Sequence, residues 1–84
     1  MQKAAYTRAH IRLTNQAEVL EFIQELTRHE NNFSIENRNA VHRVNAKSVI
    51  GVMYTMFDYQ DEMYLVNDDQ DGVIPTFVDK FRVL

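Results

Sequence analysis

Residues Arg43 to Met53 read R-V-N-A-K-S-V-I-G-V-M, and the fold turns on the junction inside this stretch. A short run of β-branched and polar residues ends at Lys47-Ser48. An apolar stripe with helical spacing follows at once in Val49, Ile50, Val52 and Met53. A serine at such a junction suits an N-cap, because its hydroxyl accepts a bond from an otherwise unpaired N–H of the first turn. The same place tolerates a negative charge, since the positive end of the helix dipole lies there. Ser48 is therefore a cap, and a candidate for a switch.

Upstream of the junction, Val41 to Val44 reads as one strand, and Phe33 with Ile35 begins another. Asn37-Arg38-Asn39 supplies the turn between them, since asparagine tolerates φ > 0. Asn31-Asn32 ends a preceding helix. That helix opens at Asn15-Gln16-Ala17-Glu18, a capping box with a short polar cap and a carboxylate three residues on. Val19, Phe22, Ile23 and Leu26 follow at i, i+3, i+4 and i+7, one face of an amphipathic helix. Arg28 and His29 suit the negative end of its dipole. Tyr6 to Leu13 alternates loosely as a first strand, with Ile11 and Leu13 on one face.

Downstream, Asp61 to Asn67 reads as a fourth strand, Met63 and Leu65 on one face, Tyr64 and Val66 on the other. Asp68-Asp69-Gln70-Asp71-Gly72 is a polar connection. Pro75 is a good first helical residue, and Phe77, Val78 and Phe81 form the apolar face of a last short helix. The order β-α-β-β-α-β-α predicts an α+β domain over residues 1–84: a four-stranded antiparallel sheet with three helices on one face.

Composition narrows the function. With 45% apolar residues in periodic segments, 84 residues suffice for one core. A chain of this size buries only about 60% of its unfolded surface, so modest stability is expected. The absence of cysteine rules out disulfides and thiolate metal sites and fits a reducing cytoplasm. No apolar run has signal-peptide or membrane-span length, so a cytoplasmic protein is expected, with no membrane partner. The net charge of −3 is uneven. Residues 1–47 carry seven basic and five acidic side chains, residues 48–84 two basic and seven acidic. No basic patch with interleaved aromatics suggests nucleic acid.

The element order and the string V-N-A-K-S-V-I-G-V-M, Val44 to Met53, resemble the HPr family of the bacterial sugar phosphotransferase system. The match extends without gaps from about Tyr6 to Asn67. Phosphocarrier members use a histidine in a G-[IL]-H-A-R-P-A motif at the start of the first helix. The ungapped alignment puts Ala17 at that histidine, Val19 at the arginine and Leu20 at the proline. Alanine has no nucleophilic nitrogen, valine offers no guanidinium for phosphoryl oxygens, and Glu18 adds a negative charge where an anion would bind.

The family's second phosphorylation site, a serine opening the second helix, matches Ser48. There a dedicated kinase modifies it, and the product serves as co-repressor for a carbon-catabolite regulator. In this logic the chain is nearest to the catabolite-repression paralogue that lacks the histidine. The resemblance thus implies a regulatory phosphoprotein without enzymatic activity or cofactor, whose partners are an HPr kinase/phosphorylase and a catabolite regulator. Lys47, Val49, Ile50 and Met53 fall on the family's docking surface. Tyr54 and Met56-Phe57-Asp58-Tyr59 depart from its small, glycine-bearing loop.

Other classes carry less. A phosphoryl carrier using another histidine would turn to His10, just before the first helix; an unmodified binding module is the remaining alternative. His10, His29 and His42 form no i, i+4 pair, and no carboxylate stands at ligand spacing. The Asp68–Gly72 run lacks the length and closing glutamate of a calcium loop. Tyr54, Phe57, Tyr59 and Tyr64 read as core and rim, unless several are exposed beside Val49, Ile50 and Met53.

Overall fold

The computed structural model describes residues 8–69 and 71–83. Its elements run β1 (Arg8–Ile11), α1 (Gln16–Leu26), β2 (Phe33–Glu36), β3 (Arg43–Asn45), α2 (Val49–Asp58), β4 (Met63–Asn67) and a 3-10 helix (Thr76–Phe81). The four strands form one antiparallel sheet in the order β1-β4-β2-β3. The fold is α+β with three helices, as expected; the start of the expected first strand at Tyr6 lies outside the described residues.

Strand alternation sorts the two faces of the sheet. Ala9, Ile11, Phe33, Ile35, Met63 and Leu65 point into one core, which also takes Val19, Phe22, Ile23 and Leu26 of α1, Val52 of α2, and Val78 and Phe81 of the 3-10 helix. Phe22 anchors that last helix through tilted and edge-on ring contacts with Phe77 (5.8 Å) and Phe81 (5.5 Å). Lys80 adds an ion pair to Glu21 of α1. Beyond the 3-10 helix the chain turns back along β1: Arg12 N–H donates to Phe81 O, and Val83 N–H to His10 O. The outer edge of β1 is thereby paired at its His10–Arg12 end, which shortens the template for strand pairing.

Among the described residues no helix packs on the opposite face of the sheet, and its polar residues cover one another. Glu36 is only 1% exposed. Its carboxylate lies 2.9 Å from Arg43 and 3.3 Å from Arg8, and Arg43 also reaches Asp68 at 3.3 Å. The Arg8 guanidinium sits 4.2 Å over the Tyr64 ring, which stacks with His10 at 4.6 Å. Burying one carboxylate among two cations avoids the cost of an unpaired interior charge.

Several boundaries differ from the sequence reading: the first strand ends at Ile11, not Leu13, and the fourth begins at Met63, not Asp61. The third strand begins at Arg43, not Val41, because the turn runs through residue 42: the Asn37 Oδ1 accepts from Val41 N–H, and Asn37 N–H donates to His42 O. The left-handed residue of this turn is Ala40, at φ 59°, and not an asparagine. Pro75 stands as the residue before the last helix, which is 3-10 over its six residues. Helix α1 ends at Leu26, so Arg28 and His29 lie beyond its last turn.

Candidate functional site

At the start of α1 a capping box links Thr14, Asn15 and Glu18. Asn15 Oδ1 accepts from Glu18 N–H at 2.8 Å, and Glu18 Oε1 accepts from the Thr14 N–H (2.7 Å) and the Thr14 hydroxyl (2.9 Å). The Glu18 N–H is thus taken by the Asn15 cap, and the Glu18 carboxylate sets a negative charge in the first turn, where it would repel an incoming phosphoryl group. Ala17 is exposed with no functional group to offer, Val19 is buried in the core, and Leu20 is exposed. Beside this end lies a groove of about 550 Å³ lined by Arg12, Thr14, Met56, Phe57 and Asp61, where Arg12 pairs with Asp61 at 3.4 Å.

At the start of α2, Ser48 is the N-cap, half-buried, its Oγ accepting from Gly51 N–H at 3.1 Å. Gly51 permits this close junction: a Cβ there would stand 3.3 Å from Ser48 Oγ and 3.4 Å from Val44 Cβ. Both nearby cations have other work. The Lys47 ammonium donates to His29 O (2.5 Å) and Asn31 O (2.8 Å), tying α2's entry to the loop that leaves α1. Arg43 is held on the open sheet face by Glu36 and Asp68.

Helix α2 itself is unusual for a surface helix. Val52, Thr55 and Tyr59 turn inward at i, i+3 and i+7, and Thr55, fully buried, satisfies its hydroxyl on Val52 O at 2.8 Å. Burial pushes the Tyr59 hydroxyl's pKa up, and that hydroxyl has no protein hydrogen-bond partner among the described residues. The outward side is also apolar. Ile50 is 83% exposed, Phe57 70%, Tyr54 56% and Val49 39%, with Met53 half-buried beside them. A helix apolar on both sides is the pattern of a buried element, not a solvated one. Asp58 is the single charged residue of α2. Its negative charge, one turn on from Tyr54, raises the pKa of that hydroxyl.

Of the aromatic residues read together from sequence, Tyr54 and Phe57 join the exposed face, while Tyr59 is buried and Tyr64 belongs to the open sheet face. The sequence reading carried the helix only through Met53; the nine uncharged residues Val49 to Phe57 are the signal for its continuation to Asp58. The burial of Glu36 had no such signal, because it depends on strands brought together from three places. The histidines are dispersed: His10 Nε2–H donates to Asp61 O at 2.5 Å, His29 stacks on Phe77, and His42 lies exposed in the β2–β3 turn. No group of three metal-ligating side chains forms among the described residues. The acidic loop is ordered by amides: Asn31 Nδ2 donates to Asp69 and Asp71, Asn32 N–H to Asp69, and Asn67 Nδ2 to Asp71.

No family model matches the chain, and neither the curated proteins nor the solved structures contain a match to it.

Proposed function

We propose that this chain is an HPr-like, protein-binding regulatory domain that is read through the outer face of α2 and carries no phosphoryl group at α1. The single observation that supports this most is the exposed apolar stripe Ile50–Tyr54–Phe57, which begins directly after the capping serine. Contiguous exposed apolar surface on a small domain marks an interaction site more often than a solvated one. The α+β build, with its four-stranded antiparallel sheet and three helices, is compatible with the family resemblance.

Ser48 is the proposed modification point. A phosphate adds about −1.5 to −2 charges at pH 7. At the N-terminus of a ten-residue helix that charge is favourable by roughly 0.3–1 kcal/mol, so it changes the surface a partner reads without unfolding the domain. Because Lys47 and Arg43 are already bonded, the cations that recognise the phosphate belong to the partner. The proposed partners are a cytoplasmic serine kinase of the HPr kinase/phosphorylase kind and a carbon-catabolite regulator; no enzymatic role is proposed.

Two incubations test the proposal: one with the general phosphotransferase enzyme and phosphoenolpyruvate, one with the serine kinase and ATP. The expected result is acid-stable label from the second, lost in Ser48→Ala. Acid-labile label from the first would establish a phosphohistidine carrier and overturn the proposal.

A further inference from the structure

We propose that the occupant of the α2 stripe is a second copy of this chain, packed as an antiparallel, two-fold related α2–α2 pair. The inference takes the proposed interaction surface as its starting point and names what covers it. Ile50, Tyr54 and Phe57 lie at i, i+4 and i+7, so the stripe is nearly symmetric about its own centre. A two-fold axis at that centre sets Ile50 of one copy on Phe57 of the other, with Met53 and Tyr54 across the axis. Such an isologous contact needs a surface complementary to itself, and an uncharged apolar stripe is one.

Charge supplies the direction. Helix α2 has no acidic side chain in its first turn and no basic one in its last. Asp58 instead sits at its own helix's negative end, the unfavourable one. Asp58 follows Tyr54 at i+4, which sets it on the stripe's own side of the helix. In the antiparallel pair each Asp58 comes to the other copy's Val49, at the positive end of the partner helix. The misplaced charge then becomes a complementary one, twice over. A parallel pair would set the two Asp58 carboxylates side by side.

Area sets the strength. The exposed parts of Val49, Ile50, Tyr54 and Phe57 offer roughly 400–500 Å² per copy. A pair therefore buries about 900 Å², below the standard protein interface, which makes the association weak and reversible. The same geometry places Ser48 opposite the partner's Tyr59, one residue from its Asp58. A phosphate on Ser48 would face that carboxylate and separate the copies, so modification and self-association oppose each other.

Sedimentation velocity on the full chain, from about 10 µM to about 1 mM, measures this directly. The wild type is expected to move reversibly from monomer toward dimer across the range. Ile50→Asp is expected to stay monomeric, and Asp58→Lys to weaken association by roughly three- to tenfold through the lost helix-end contacts. Val41→Asp, at a position 68% exposed in the β2–β3 turn, is expected to associate as wild type. Circular dichroism checks that each variant is folded. A wild type that stays monomeric throughout, or Ile50→Asp and Asp58→Lys that both associate like it, would overturn the proposal. In the first case acid-stable kinase labelling would still support the regulatory reading, with a different protein covering the stripe.

Discussion

Ser48 and Lys47 stand side by side and do different things. Ser48 Oγ holds Gly51 N–H, and the Lys47 ammonium closes two carbonyls left by the exit of α1. Replacing Ser48 with alanine is expected to cost about 1 kcal/mol in urea unfolding, with aspartate at that position costing less because it also caps. Lys47→Met leaves His29 O and Asn31 O without their donor and is expected to cost about 1–3 kcal/mol by the same measurement. The cap was legible, since serine before an apolar helix has a local cause. The reach of Lys47 was not, because its acceptors lie 16 and 18 residues away. Asp69 makes a prediction in pH. Its pKa is held below the ordinary carboxylate value, chiefly by the Asn32 backbone N–H and then by the Asn32 side chain. A depressed folded pKa contributes stability that is present above the unfolded value, near 3.8, and lost as pH falls through the lower folded one. Asp69→Asn is therefore expected to flatten the acid limb of the stability profile below about pH 4, read by thermal melts from pH 2 to 5.

Among the elements, the sheet and α2 invert the usual surface pattern in opposite senses. The open sheet face is polar yet buries Glu36, whereas α2 is exposed yet apolar. Removing both cations, Arg8→Met with Arg43→Met, leaves the Glu36 carboxylate enclosed and unpaired, with an expected loss of about 3–5 kcal/mol. Glu36→Gln, which leaves Arg43 on Asp68 and Arg8 over the Tyr64 ring, is expected to cost less than half of that in chemical denaturation. Helix α1 was readable to its cap because its periodicity, capping residue and acidic partner all agree. The third strand was displaced by two residues because the Asn37 side chain, rather than strand propensity, decides where the turn ends. The 3-10 form of the last helix had no local signal; it follows from six residues held between Pro75 and the return of the chain along β1.

For the whole molecule, the order of elements was legible and the order of strands less so, since β1-β4-β2-β3 depends on pairings between residues far apart in the chain. The two helix starts divide the functional possibilities between them. One is capped by Asn15 and carries the Glu18 carboxylate in its first turn, and the other is capped by a half-buried serine at the head of an apolar stripe. On the proposed reading the molecule meets its partners along α2, whether those are copies of itself or other proteins. The most direct test is a photoreactive residue placed at Phe57 in one variant and at Val41 in another, both highly exposed, with cross-linking in living cells. Covalent adducts from position 57 and none from position 41 are predicted; adducts from position 41 with none from position 57 would contradict it.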